Sequence, residues 1–127
     1  PGLRKWQLET GERQTKAIFT KSGRRRLCMT ERSGKFTTRI NSVVQGCAGD
    51  ITKGALIRIW KYLRVYQGEA RLVGCVHDEI LLEVKDAYVE QWKDRLVKSM
   101  ENAGKWLIQS VPITAEVDAG PTWADAK

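Results

Sequence analysis

Arg71-Leu72-Val73-Gly74-Cys75-Val76-His77-Asp78-Glu79-Ile80-Leu81-Leu82-Glu83-Val84 is the stretch whose reading decides the fold. Two short apolar runs, Arg71–Val76 and Ile80–Val84, flank three consecutive polar residues. Their length and β-branched content suit buried strands. The expectation is a tight β-hairpin with His77-Asp78-Glu79 at its turn. Two adjacent carboxylates held at the mouth of a sheet offer hard oxygen ligands, the kind that suit Mg²⁺ and Mn²⁺. An ordinary solvated turn is the competing reading of the same residues.

Upstream of this hairpin the pattern is helical from about Phe36 to Gln67. Ile40, Val43, Val44, Cys47, Ala48, Ile51, Ala55, Ile59, Tyr62 and Leu63 recur mainly three and four apart, as one face of a helix requires. Gly46, Gly49 and Gly54 interrupt it at a cost of about 1 kcal/mol each relative to alanine, which points to close approach of another backbone or a ligand. Gln67-Gly68-Glu69 closes the run. Downstream, Asp86–Gly104 reads as an amphipathic helix with Val89, Trp92, Leu96 and Met100 on one face and Gly104 near its C-cap. Val111–Val117 reads as a further strand with Pro112 at its entry, and Gly120-Pro121 as a turn.

Toward the start, Pro1–Gln14 reads as a short helix carrying Leu3, Trp6 and Leu8, with proline at a favoured first position. Ala17-Ile18-Phe19-Thr20 is β-prone and runs into a Lys21-Ser22-Gly23 turn. Arg24-Arg25-Arg26 and the polar stretch to Lys35 read as loop. The order helix, strand, long helix, hairpin, helix, strand is that of an α+β unit, with a small antiparallel sheet covered by helices on one face. No repeat, linker or low-complexity segment divides it, so residues 1–127 read as one cooperative unit.

Composition narrows the function classes. A chain of 127 residues with 42% hydrophobic and 29% charged residues fits one globular domain, or a piece of one, and excludes a disordered tail. No apolar run approaches the ~18 residues of a membrane span, and the basic, polar start is no signal peptide. There is no initiator methionine, so a chain excised or trimmed from a longer one is expected. The net charge of +7 is uneven: residues 1–39 hold 11 Lys or Arg against 3 acids, while residues 40–127 sum to −1. Such a split points to a polyanionic partner, or else to a solvated basic face. Cys28, Cys47 and Cys75, with His77 the lone histidine, make no zinc pattern. Free thiols imply a reducing, cytosol-like compartment, with at least two of the three buried as small hydrophobes.

Four blocks in order carry a resemblance: Thr20-Lys21-Ser22-Gly23-Arg24-Arg25-Arg26, then the run Asn41–Lys53 with Asn41, Gln45 and Gly46, then Val76-His77-Asp78-Glu79-Ile80, then Val111-Pro112 with Gly120-Pro121-Thr122-Trp123. Together they resemble the family A (DNA polymerase I-like) DNA polymerases over essentially the whole chain. The resemblance implies the C-terminal part of a right-hand polymerase palm, with a central hairpin packed against helices, one of them long. The fingers and the first catalytic aspartate motif would lie in an upstream part of the same or a companion chain. It implies two-metal nucleotidyl transfer with Mg²⁺, or Mn²⁺, in which Asp78 holds a cation and Glu79 assists. The implied partners are primer–template DNA and, in the complete enzyme, deoxynucleoside triphosphates; the 127-residue chain alone is expected to be inactive.

Further roles are implied residue by residue. Asn41 and Gln45, four apart, share a helix face and would meet the minor-groove side of the primer-terminal base pair, where acceptors are common to all correct pairs. Arg24, Arg25 and Arg26 suit phosphate oxygens, with a solvated loop or internal salt bridges as the alternative. His77 would contact the primer-terminal phosphate or simply hydrogen-bond within its turn. Where the family has glutamate-arginine ahead of the asparagine, this chain reads Phe36-Thr37, so that either Lys35 or Arg39 takes over that arginine's backbone contact or the contact is lost. Asp50 and Lys53, three apart, read as a helix-surface pair. A non-catalytic DNA-binding module that kept the basic face is the rival from another class. A reverse-transcriptase-like palm fits less well, since its hairpin carries two aspartates. A bacterial or phage-like cytoplasmic setting is expected, with an organelle as the alternative.

Overall fold

A computed structural model describes residues 2–13 and 15–126. Its elements are α1 (Gly2–Gly11), β1 (Ala17–Phe19), β2 (Arg25–Leu27), α2 (Glu31–Gly34), α3 (Phe36–Val65), β3 (Ala70–Val76), β4 (Glu79–Val84), a 3₁₀ turn (Asp86–Tyr88) and α4 (Val89–Leu107). The α+β expectation holds, with one difference: two separate two-stranded antiparallel sheets replace a single small sheet. Contacts divide the chain inside α3 into two compact units, residues 1–50 and 51–127, where the sequence reads as one. Among the described residues no helix is long and apolar enough to cross a membrane.

In the first unit, α1 lies close to its expected bounds; Pro1 and Gln14, which the expected helix includes, fall outside the described residues. Its last residue is buried against Phe36, whose ring stands where a Cβ on Gly11 would be. The segment read as loop after Gly23 is instead largely structured. Arg25–Leu27 pairs with β1 in the register Ala17↔Leu27, Ile18↔Arg26 and Phe19↔Arg25. Three consecutive arginines hide this strand from any hydrophobic pattern, because backbone pairing to the β-prone Ala17–Phe19 decides it. Gly23, at φ +85°, makes the turn between the strands, where a residue without a Cβ sits free of strain.

The second unit is built around one apolar core. Ala55 and Ile59 of α3 meet Ile80 of β4 and Trp92 and Ala103 of α4, ringed by Tyr62, Leu63, Leu96, Met100 and others. Helical spacing on α3 and α4 supplies this face as the periodicity predicts. The indole N–H of Trp92 is satisfied inside that core. It donates to Glu69 Oε2 at 3.0 Å, which also accepts from Arg95 Nη1 at 2.8 Å, while the Arg95 guanidinium stacks over the Tyr66 ring at 3.7 Å.

The hairpin forms where expected, with three differences. Its turn has two residues, since Glu79 already pairs with Val76, and a bulge at Val73 shifts the register between Leu72 and Gly74. Neither strand is buried on both faces: Ile80 is the one buried residue of the two, and Val73 is 62% exposed. One face packs on the helices and the other is open in this chain, so an apolar run alone overstated the burial.

Three expectations at the end of the chain are corrected. Gly104 is not a cap but a notch in α4. Ile113 fills it, so that a Cβ at Gly104 would lie 2.5 Å from that of Ile113, and the cap is Ile108. Residues 111–117 form no strand among the described residues. Their alternating Val111, Ile113, Ala115 and Val117 mimic one, yet the segment is held by the Ile113 plug and by a bond from the Ala115 N–H to Glu101 Oε1 at 3.4 Å. The turn expected at Gly120-Pro121 lies just beyond it, at residues 122–125, where the Asp125 N–H donates to the Thr122 carbonyl at 3.1 Å and the Thr122 hydroxyl is bonded to the Asp125 carboxylate. Of the cysteines only Cys28 is buried; Cys47 is half-buried and Cys75 exposed, and all three are free.

Candidate functional site

The hairpin tip presents His77, Asp78 and Glu79 to solvent. His77 adopts φ +55°, a left-handed conformation that costs a non-glycine residue roughly 1–2 kcal/mol. Two-residue hairpins call for positive φ at their first central position, so the strand pairing on both sides imposes it. The carboxylate pair therefore rides on a turn whose backbone is set by its ladder. Asp78 and Glu79 supply the right donors for a hard divalent cation, though not a full shell. Among the described residues no group of three or more His, Cys, Asp or Glu side chains comes together as a metal site. The pair fits such a cation as part of a coordination sphere completed by water, substrate oxygens or further carboxylates.

In the first unit the structure assembles a polar knot that sequence reasoning missed. Asp50 is buried at 8% exposure rather than paired with Lys53 on the helix surface. Its Oδ2 accepts from the Thr20 hydroxyl at 2.7 Å and the Ser22 hydroxyl at 2.6 Å, and its Oδ1 from Arg24 Nε at 2.6 Å. Arg24 Nη2 also donates to the Gly46 carbonyl at 2.9 Å, and the Lys21 N–H to Cys47 Sγ at 3.3 Å. The β1–β2 turn is thus stitched to α3. Burial alone would push the Asp50 carboxyl up. The hydrogen bonds from Ser22, Thr20 and Arg24, with the Arg24 charge beside it, outweigh that and hold it below its ordinary value of 3.8. The signal available in sequence was the spacing Thr20, Ser22, Arg24, which sets three donors around one turn.

This knot explains one of the helix glycines. A Cβ on Gly46 would come within 2.5 Å of Thr20 Cγ2 and 3.3 Å of Arg24 Nη2. Thr20 cannot retreat without breaking its bond to Asp50. Gly46→Ala should therefore destabilise the chain by up to about 2 kcal/mol, because overpacking of ~1–3 kcal/mol outweighs the ~1 kcal/mol that alanine adds in helix propensity. Chemical denaturation reads this, and a stabilised variant would disprove the close approach. Gly54 faces Ala103 at a tight 3.3 Å, whereas Gly49 faces open space.

The remaining predicted residues divide between exposed and structural positions. Arg25 and Arg26 on β2 are exposed, as is Lys35. Arg24 is committed to Asp50 and is 45% exposed, the internal salt bridge weighed as the alternative to phosphate contact. Arg39 is buried at 6% exposure, donating from Nε to the Gly34 carbonyl at 3.0 Å and from Nη2 to the Thr15 carbonyl at 2.7 Å. Asn41 and Gln45 are both exposed on α3, and Asn41 borders an open cavity of about 240 Å³ lined also by Arg4, Gln7 and Thr37.

Comparison with known proteins bears on the chain as a whole. A model of DNA polymerase family A matches residues 1–125. DNA polymerase I of Lactococcus lactis subsp. cremoris is 39% identical over 90 residues, covering 71% of this chain and 10% of that protein. DNA polymerase theta of Caenorhabditis elegans is 31% identical over 134 positions, covering all of this chain and 8% of that protein. The chain thus spans about a tenth of the length of these curated relatives. Among solved structures, the POL domain of Pol1 from M. smegmatis, in complex with DNA primer-template and dNTP, superposes with a TM-score of 0.85 at 26% identity, over 98% of this chain and 23% of that one. With its α+β fold and a match running nearly from end to end, the chain belongs to DNA polymerase family A.

Proposed function

We propose that this chain is the C-terminal part of the palm of a template-directed DNA polymerase, binding primer–template DNA and contributing one carboxylate motif to nucleotidyl transfer. The observation that carries the reading is the exposed Asp78-Glu79 pair on a hairpin turn whose backbone its own ladder sets. The similar M. smegmatis domain is in complex with DNA primer-template and dNTP, which supports the same partners here. Asp78 would hold a Mg²⁺ or Mn²⁺ ion, with Glu79 beside it. Such a cation, when bound, supplies charge stabilisation to the phosphoryl oxygens and acidifies the attacking hydroxyl. His77 would touch the primer-terminal phosphate, and Asn41 and Gln45, exposed one helical turn apart, would donate to minor-groove acceptors. The second aspartate and the triphosphate-binding groups would come from other segments of the parent or a companion chain.

The phosphate-contact set narrows to Arg25, Arg26 and Lys35. Arg24 and Arg39 leave the set, since Arg24 is bound to Asp50 and Arg39 is buried with its Nε and Nη2 on backbone carbonyls. The Arg25→Ala/Arg26→Ala double variant should weaken duplex binding alike for any sequence. It should also flatten the slope of log affinity against log salt by roughly 0.9 per lost contact, about 2 in all. Arg24→Ala should lower stability instead, with little change of slope. Titrations at several salt concentrations measure both, and an unchanged slope in the double variant would take β2 off the DNA.

A further inference from the structure

In the second unit, α3 and α4 border a groove whose polar lining is rich in donors and contains no acid. Arg58, Lys61 and Tyr62 of α3 and Lys98 and Asn102 of α4 line a cleft of about 250 Å³. The spacings i, i+3 and i+4 on α3, and i and i+4 on α4, turn these side chains toward one another. Neither Arg58 nor Lys61 belongs to any ion pair among the described residues, and one helical turn apart they repel. Lys98 is held at 2.6 Å by Asp94, an exposed carboxylate outside the lining. The site thus offers two uncompensated cations, a third restrained from the side, and an amide and a phenol able to donate.

We propose that this groove binds a phosphate group. The volume is below the roughly 300 Å³ at which sites for drug-sized ligands begin, so a small anion fits better than a whole nucleoside. Arg58 offers the planar fork that matches two phosphate oxygens, and Lys61 the point charge that neutralises a second negative charge. The phosphate could belong to a free anion such as pyrophosphate or to a nucleic-acid backbone. Nothing in this assignment depends on Asp78 or on Arg25 and Arg26, so the groove and the proposed polymerase role stand or fall separately. Asp94 acts as a restraint: its carboxylate competes with the incoming anion for Lys98.

Calorimetric titration of the whole chain with pyrophosphate, and separately with a short DNA duplex, tests the assignment. The Arg58→Ala/Lys61→Ala variant should bind pyrophosphate roughly tenfold more weakly or worse, since each loses a charge-assisted hydrogen bond. Asp94→Asn should bind several-fold more tightly, as Lys98 is released. All three positions are exposed, so circular dichroism should report unchanged helix content. A loss seen with both probes supports a general phosphate site, and one seen only with the duplex assigns the phosphate to a nucleic-acid backbone. Unchanged binding in the double variant, no saturable binding of either probe, or weaker binding in Asp94→Asn would each overturn the proposal.

Discussion

Asp78→Ala, placed in a complete polymerase carrying this segment, should cut the rate of nucleotide incorporation by roughly a thousandfold or more while primer–template affinity changes little. Each 1.36 kcal/mol of lost transition-state stabilisation is about tenfold in rate, so a loss of ~4 kcal/mol suffices. Removal of a hard carboxylate ligand reaches that size because the charge it helps to neutralise is largest during phosphoryl transfer. DNA affinity rests instead on phosphate contacts made elsewhere. Glu79→Ala should cost less, as Glu79 is proposed only to assist beside the cation that Asp78 holds. Single-turnover incorporation alongside equilibrium DNA binding separates the two quantities. Near-normal incorporation by Asp78→Ala would defeat the catalytic reading and leave the non-catalytic DNA-binding module in its place.

Replacing Asp50 by alanine should be the most damaging change in the first unit, at about 2–3 kcal/mol. Removing one partner of a fully buried ion pair costs ~3–5 kcal/mol, and the 45% exposure of Arg24 discounts that figure because water can rehydrate it. The melting temperature should fall by roughly 10 °C. The acid limb gives a second, independent reading. Because the folded state holds this carboxyl below 3.8, its contribution is fully present above that ordinary value and is lost as the pH falls through the lower folded one. The stability gap between the wild-type chain and Asp50→Asn should therefore close on acidification below about pH 4. A gap independent of pH would mean that the carboxylate charge does not hold the knot.

Much of this was legible from residue order. The span of α3 follows from spacings of three and four sustained over many turns, and the β3–β4 hairpin from two apolar runs too short for helices. Asp78 and Glu79 stood out because polar residues between such runs have few other places to go. Other features escaped for physical reasons. β2 is paired through its backbone while two of its three side chains are arginines, so hydropathy is blind to it. Val111–Val117 alternates as a strand does, but Ile113 serves as a plug instead, and it needs a glycine notch that only three dimensions reveal. Asp50 was misassigned because a lysine three residues on is a ready local partner, whereas its true partners lie 26 to 30 positions away.

That separation has a kinetic meaning. A hairpin closed by two residues, such as β3–β4, forms in about 1–10 μs. The Asp50 knot closes a loop of some thirty residues and needs α3 already wound to present its carboxylate beside the Thr20 turn. Contacts of such long range carry the larger loop-closure entropy and are made late. Interactions absent from the folding transition state govern how fast the native state is lost rather than how fast it is reached. The knot is on this account a brake on unfolding, and its removal should raise the unfolding arm of the kinetics, with its slope kept, while the refolding arm stays where it was.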